Sequence, residues 1–346
     1  MEVKLISTKR ELKKFVYSQF PYVAAEKEKT ANLLFRHYFK KLSGAVLSKR
    51  NVFAVAVRDG GQIKAQTLFY FENDKHCGDC PTCYFCYFYC EDSVATAQLL
   101  FESVFLQMKK YGVSRLKGPV CTFNPFNGDG CPIFGEEKFF FRQPPYYRQL
   151  FEEMGFGKYK DVFTVAFRNE ALKDELPEGI AAEPFRTSKC AQIKDLVSIA
   201  DKDKYEESTV SISETFLNGY PELLGMLRKP NVMLLLKDEL SHPVGFGAGG
   251  FEDTLGKRKR IFARRKEEDS ADRSTFHVLA LCCKQTYLQK DMFYVILEQM
   301  RRRIPSSCEK IVLHKIAENA FTELEMAERL HAEVTAVHRI YEKTVK

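Results

Sequence analysis

The chain has 346 residues, enough for two domains of ordinary size, and 45% of them are hydrophobic, with 29 Phe and 16 Tyr to fill cores. No apolar run reaches the roughly 18 residues that a membrane span requires, and the N-terminus MEVKLISTKRELKKF scatters charge where a signal peptide is apolar, so a cytoplasmic protein without a membrane span is expected. The net charge of +7 is mild for this size and admits an anionic partner, such as a nucleotide cofactor or RNA, without requiring one.

Residues 1–50 read as helical: Leu12, Phe15 and Val16 are followed by Leu33, Leu34, Phe35, Tyr38 and Phe39, with an interruption at Pro21. Val52–Val57 and Ile63–Phe71 are apolar strands joined by Asp59-Gly60-Gly61, a hairpin signal because glycine reaches positive φ without strain. Tyr84–Tyr89 is a third, aromatic strand. Asp92 or Ser93 caps the next helix, in which Ala97, Leu100, Phe101, Val104, Phe105, Met108 and Tyr111 recur at helical spacing up to Gly112. A strand at Leu116 ends at Gly118-Pro119. After a Gly/Asn/Pro loop, Tyr147, Leu150, Phe151 and Met154 mark one helical face that Gly155 terminates. From Asp161 onward, Val162, Thr164 and Ala166 alternate with Phe163, Val165 and Phe167 as a strand.

The stretch from Arg168 to Ile180 is a polar connection. Ile193, Leu196, Val197 and Ala200 mark a helix, and a second lies around Ser213–Leu227. Strands Val232–Leu236 and Val244–Phe251 flank a Ser241-His242-Pro243 turn. Phe276–Cys282 is a strand, Thr286–Ile304 a helix, Lys310–His314 a strand, Glu318–Leu330 a helix and Val334–Tyr341 the last strand. The element order of the first half thus returns in the second with little identity. The expected class is α/β, mixed α+β, with an N-terminal domain over 1–168, a linker over 169–182 and a C-terminal domain over 183–346.

This order, with the phrases GPV, PPYYRQLFEEMGF, AEN and HRIYEK in sequence, resembles a family of bacterial tandem GNAT-like (N-acetyltransferase-like) proteins. The resemblance implies two GNAT-like domains, each a twisted, mixed and mostly antiparallel sheet flanked by helices. It also implies transfer of an acyl group from acetyl-CoA or another acyl-CoA to an amine of a small molecule or peptide. That chemistry needs a splayed strand for the pantetheine arm, a loop of form Arg/Gln-x-x-Gly-x-Gly/Ala offering amides to the pyrophosphate, and a group that manages the amine proton. In the first half, Cys90-Glu91-Asp92-Ser93 joins strand to helix with no glycine and two carboxylates, so its cofactor loop is degenerate. In the second half, Leu281, Cys282, Cys283 and Lys284 lead into the corresponding loop. Gln289 and Asp291 stand there in place of the family's glycines, and Lys284 and Lys290 supply positive charge. Asn319 matches an asparagine after the following strand and reads equally as a helix cap. These residues make up the expected acyl-CoA site. No general acid carries over, and Tyr287, Glu252 and Tyr341 are candidates by position alone. Two other readings stand beside this one: a non-catalytic GNAT-like binding or regulatory module, and an aminoacyl-tRNA-dependent transferase.

Eleven cysteines in a chain read as cytosolic argue for reduced thiols, with metal binding as an option. Cys77, Cys80, Cys83, Cys86 and Cys90 follow His76 at spacings that overlap iron–sulfur and zinc patterns. If Tyr84–Tyr89 is a regular strand, Cys86 and Cys90 share a face and Cys83 lies on the other. The compatible set is then a Cys3His zinc site of His76, Cys77, Cys80 and Cys83, against thiols in a plain loop and core strand. The loop from Cys121 to Gly135 is rich in turn formers. In the resembling family it lies toward the acceptor cleft, which makes Asn124, Asn127 and Asp129 acceptor-contact candidates. Residues 257–266, KRKRIFARRK, carry seven basic side chains; they read first as a solvated loop or short helix and otherwise as a contact for tRNA or a phosphate-bearing cofactor. His277, His314, His331 and His338 read as structural histidines.

Overall fold

A computed structural model of the chain describes residues 1–17, 44, 46–48, 51–74, 80–120, 130–135, 143–170, 172, 175–185, 195–196, 231–251, 273–288 and 291–345. Its contacts form two units, Met1–Val162 with Ala336–Lys346, and Phe163–Thr335. The first unit is not contiguous in sequence, because the last strand of the chain supplies most of its length to it. Two strands, β7 (Gly157–Arg168) and β13 (Glu333–Thr344), give residues to both.

In the first unit, β1 (Glu2–Leu5) and α1 (Lys9–Tyr17) lead into the hairpin of β2 (Val52–Asp59) and β3 (Gln62–Asp74), whose Gly60 and Gly61 take φ of 53° and 85°. Next come β4 (Cys80–Cys90), α2 (Val94–Lys110), β5 (Arg115–Gly118), β6 (Cys131–Gly135) and α3 (Tyr147–Glu153). The strands lie in the order β1-β2-β3-β4-β5-β13, with β6 also on β13. Only β4 and β5 among these neighbours are recorded as parallel, the arrangement a crossing helix, here α2, produces. Along β3, Ala65, Phe69 and Phe71 join the core under α2, while Gln66, Leu68 and Tyr70 alternate to the other face. There the Gln66 amide donates to the Phe15 carbonyl of α1 at 2.6 Å. Phe156, the residue after the stop glycine, packs on Phe101 at 5.2 Å and on Phe151 at 5.3 Å.

Two features of this unit depart from expectation. β4 carries a bulge. Gln66 faces Tyr89 and Leu68 faces Cys86, so Thr67 alone opposes Tyr87 and Phe88, and Tyr87 takes φ 51°. An inserted residue reverses every side chain beyond it. Cys83 and Cys90 therefore share the α2 core and Cys86 does not, the opposite of what regular alternation requires. The expected 121–135 loop also ends in a strand, β6, which pairs with Ala336–Arg339 of β13. Residues 121–129 lie outside the described residues. The C-terminal strand is anchored by a two-bond pair, Arg339 Nε and Nη2 donating to Asp161 at 2.8 and 3.0 Å, with Lys158 Nζ at 2.9 Å. Burial pushes the Asp161 carboxyl up, but the hydrogen bonds from Arg339 and Lys158 outweigh it and hold the group below its usual range.

In the second unit, β8 (Ala181–Pro184), β9 (Asn231–Lys237), β10 (Pro243–Phe251), β11 (Thr275–Cys283) and β12 (Lys310–Ala317) lie in the order β7-β12-β11-β10-β9-β8. The helix expected over Thr286–Ile304 is two segments, α4 (Gln285–Leu288) and α5 (Met292–Arg301), because Asp291 between them is left-handed. α6 (Phe321–Arg329) starts later than expected, after a turn in which the Ala320 N–H bonds to the Ala317 carbonyl at 2.9 Å. α5 lies close on β10 because that strand is glycine-rich. A Cβ on Gly247 would stand 2.6 Å from both Ile296 Cγ2 and Met300 Sδ. The helices expected around 193–200 and 213–227 fall almost wholly outside the described residues.

The end of α5 is fixed by a buried carboxylate. Glu298 is 1% exposed and accepts from Arg301 Nε at 2.7 Å, Arg302 Nε at 2.8 Å and the Leu172 N–H at 3.1 Å. Burial opposes its charge, yet the hydrogen bonds from Arg301, Arg302 and Leu172 prevail and lower its pKa from 4.5 to about 2. Its stabilising contribution is therefore complete above pH 4.5 and is lost as pH falls from there toward 2. Glu298→Gln is expected to cost about 2 kcal/mol at pH 7 in urea unfolding. The gap between variant and parent should close progressively as the titration is repeated from pH 4.5 downward.

Candidate functional site

The geometry that could admit a ligand lies between β11 and β12. The two strands pair in parallel from Thr275↔Lys310 to Val278↔Leu313, and the pairing then stops, although β11 runs on to Cys283 and β12 to Ala317. The cause is a second bulge. On β10, Ala248 faces Ala280 and Gly249 faces Val278, so Leu279 stands opposite no β10 residue. The extra residue bends β11 away from β12 at that point. Burial follows the change: Phe276, His277 and Val278 are buried, whereas Leu279, Ala280, Leu281 and Cys282 are half-buried, as are His314 and Lys315 across the opening. Strand edges that no longer face each other offer backbone groups to an extended, amide-bearing arm. Cys283 is buried, and the Lys284 N–H donates to the Val244 carbonyl at 3.0 Å, which ties the end of β11 to the start of β10.

α5 opens on a residue in the left-handed conformation. Asp291 is its N-cap, with φ 51° and ψ 33°, a conformation that Asp tolerates better than most side chains. Its carboxylate makes no capping bond to the helix and instead accepts from Arg329 Nη1 at 2.8 Å. The Arg329 guanidinium lies 4.1 Å above the Tyr294 ring, and the Tyr294 hydroxyl donates to the Met326 carbonyl at 3.1 Å, so α5 and α6 hold this corner together. Arg329 was not singled out in the sequence, since its partner lies 38 positions away. Asn319 is half-buried in the turn before α6, one residue ahead of the N-cap Ala320, so it is not the cap itself. Lys290, Glu252, Asn124, Asn127, Asp129 and the basic run 257–266 lie outside the described residues. Tyr287 is half-buried on α4, and Tyr341 is buried in the first unit, where its hydroxyl donates to Glu152 at 3.3 Å.

The corresponding place in the first unit is filled by the protein itself. β5 stays bonded to β4 beyond its last rung, with the Val120 N–H donating to the Phe85 carbonyl at 2.9 Å. At the end of β4, the Cys90 N–H donates to the Tyr147 hydroxyl at 3.1 Å and the Tyr146 hydroxyl donates to the Cys90 carbonyl at 2.7 Å. Both polar groups an arm would use are thus taken, and the Tyr147 ring sits 4.8 Å from that of Phe88. The start of α2 is closed as well. Ser93 Oγ accepts from the Thr96 N–H at 3.2 Å, and Glu91, paired with Lys64 at 3.1 Å, accepts from the Thr96 hydroxyl at 3.1 Å. Tyr146 and Tyr147 are conspicuous in the sequence, but only as one end of a helical face.

No family model matches the sequence, and no curated protein matches it. Among solved structures, the chain is similar to a probable N-acyltransferase from Enterococcus faecalis V583, with TM-score 0.59 and 14% identity over 100% of this chain and 73% of that one. It is also similar to a GCN5-related N-acetyltransferase from Kribbella flavida, with TM-score 0.57 and 12% identity over 99% and 71%. A tandem GNAT protein from the clavulanic acid biosynthesis pathway gives TM-score 0.56 and 9% identity over 99% and 98%. The fold is therefore the tandem GNAT-like one, a mixed α/β architecture of large mixed sheet and flanking helices.

The described residues give the zinc set no support. Cys80 and Cys83 are three residues apart on one strand and so project to opposite faces. Cys83 lies in the apolar core, where burial pushes its thiol well up and so disfavours the thiolate a metal needs. His76 and Cys77 lie outside the described residues, and among the described residues no group of three or more His, Cys, Asp and Glu could hold a metal. Cys131 is also raised by burial, and Cys90 is pushed up to about 12 by burial and by the charges of Glu91 and Asp92. Cys83, Cys90 and Cys131 are expected to remain unalkylated by iodoacetamide at pH 8 in the folded protein and to react fully in urea, as peptide mass mapping would show. Rapid native-state labelling of these three would contradict the packing.

Proposed function

We propose that this chain, with its tandem GNAT-like fold, is an acyl-CoA-dependent N-acyltransferase whose second unit binds the acyl-CoA and whose acceptor is an amine of a small molecule or peptide. The observation that supports this reading is the parting of β11 and β12 at the Leu279 bulge. The residues fit the cofactor in two respects. The separated strand edges suit the amides of a pantetheine arm, with Leu281 and Cys282 along the β11 side. The left-handed Asp291, beside Arg329, turns the chain at the start of α5, and Lys284 and Lys290, close by in the sequence, would add positive charge for the pyrophosphate. When bound, the cofactor supplies an activated acyl thioester. The protein orients it, excludes water from it, and offers the backbone of the Leu279 bulge to the carbonyl oxygen as charge develops there. In this reading Asn319, in the turn before α6, is a further contact for the cofactor.

The first unit has a structural role in this reading, since Tyr146 and Tyr147 occupy the end of β4 and Ser93 and Glu91 occupy the start of α2. A second reading, a non-catalytic GNAT-like binding module, is favoured by one observation, the Asp291 carboxylate standing at the start of α5. No described residue and no comparison supports a tRNA partner. Among the described residues, no helix is long and apolar enough to cross a membrane.

Calorimetric titration separates these readings. One acetyl-CoA or octanoyl-CoA is expected to bind per chain. The double variant Lys284→Ala/Lys290→Ala should weaken binding at least about tenfold, the value of one or two charge-assisted contacts. Tyr146→Phe in the first unit should leave affinity unchanged. Absence of binding by both thioesters would contradict the acyltransferase reading.

A further inference from the structure

The second unit holds a cleft of about 480 Å³ at the start of β11 and β12, the end of these strands away from the opening. Arg168, Asn169 and Glu170 line it from the end of β7, Thr275 from β11, and Glu309 and Lys310 from the start of β12. Its size falls in the range of roughly 300–1,000 Å³ typical of small-molecule sites. The backbone around it is fixed. The Glu309 and Lys310 N–H groups both donate to the Ser274 carbonyl, at 2.8 and 2.9 Å, and the Asn169 N–H donates to the Glu309 carbonyl at 2.8 Å. The first rung of the parallel ladder, Thr275↔Lys310, thus belongs to the cleft wall.

The polar groups here are scarcely used by the protein itself. Among the described residues, the Glu309 carboxylate and the Lys310 ammonium make no ion pair and no hydrogen bond. Arg168 and Glu170 approach each other only to 4.0 Å, and their side chains are 88% and 74% exposed, so that pair contributes little. Asn169 Nδ2 donates to the Cys308 carbonyl at 2.8 Å, and its Oδ1, screened from solvent, has no hydrogen-bond partner. A sheltered carbonyl oxygen ordinarily has one.

The signs of the charges select the ligand. A phosphate or nucleotide would meet Glu170 and Glu309 as well as the cations, and a metal ion would meet Arg168 and Lys310. The four formal charges cancel, which suits a small molecule that carries both signs itself. Each contact at such exposed groups is weak alone, so recognition requires both ends to be held at once.

We propose that this cleft is a binding site for a zwitterionic α-amino acid. The ligand's ammonium group lies at Glu309 and Glu170, with Asn169 Oδ1 as a further acceptor. Its carboxylate lies at Lys310 and Arg168, with the Thr275 hydroxyl as a further donor. The site is separate from the acyl opening, and its occupancy does not depend on what the opening binds.

Thermal unfolding of the full chain with a millimolar pool of the common L-amino acids finds the ligand, and calorimetry of the single amino acid responsible measures it. A rise in Tm with the pool is expected, traced to one amino acid that binds once per chain. Glu309→Gln and Lys310→Met remove side chains that hold no partner, so each variant should unfold at the parent's temperature without ligand and bind at least about tenfold more weakly. The decarboxylated amine and the deaminated acid of the same compound should each lose at least about tenfold in affinity. No rise in Tm with the pool overturns the site. So does unchanged affinity in both variants, which would place the amino acid elsewhere, or equal binding of a one-ended analogue, which would make this a simple ion contact.

Discussion

One extra residue in β11 organises the second unit. With Leu279 opposite nothing on β10, the strand bends where its parallel pairing with β12 runs out, and the two edges part beyond Val278 and Leu313. A ladder that ends inside a sheet leaves backbone polar groups to be satisfied by something other than a neighbouring strand. The glycines of β10 let α5 lie directly on the sheet, through Ile296 and Met300. Glu298, gathering Arg301, Arg302 and the Leu172 amide, locks the other end of the same helix. Bulge, glycine strand and buried carboxylate thus act together to hold a cleft open against the tendency of strands to close.

The first unit shows the alternative outcome from the same architecture. It too has a bulge, at Tyr87, and a helix that starts just beyond the strand end. Two tyrosine hydroxyls take the terminal amide and carbonyl of β4, aromatic rings fill the space around Phe88, and the helix start is satisfied by a serine and a carboxylate. The Cys90 amide and carbonyl and the Thr96 amide thus take partners from the chain itself, which makes the place core.

Local chemistry made much of this fold legible in the sequence. The hairpin at Gly60-Gly61, the Ser93 cap, the apolar face of α2 and the stop at Gly155 depend on residues a few positions apart, and all four stand in the structure. What escaped depends on distant pairing. β6 forms because β13 arrives some 200 positions later, an order of separation that local pattern does not carry. The two bulges were invisible because a strand pattern with one inserted residue still looks apolar throughout; in β4 this reversed the expected faces of its cysteines. The break before α5 was hidden because the apolar periodicity from Tyr287 to Met300 runs across Asp291 without interruption, although Asp291 stands in place of a family glycine. The candidate acyl-CoA residues were named by resemblance, whereas the place of Arg329 depends on a partner 38 positions away in the chain. The i, i+3 and i, i+4 spacing of Glu298 to Arg301 and Arg302 was readable and signals the anchor of α5.

The central claim is that one unit presents an open strand edge and the other a closed one. Hydrogen–deuterium exchange of the full chain with and without acetyl-CoA tests it most directly. The account predicts that the amides of residues 279–283 on β11 gain protection on binding while those of residues 86–90 on β4 do not change. Protection appearing on β4, or binding without any protection along β11, would contradict it.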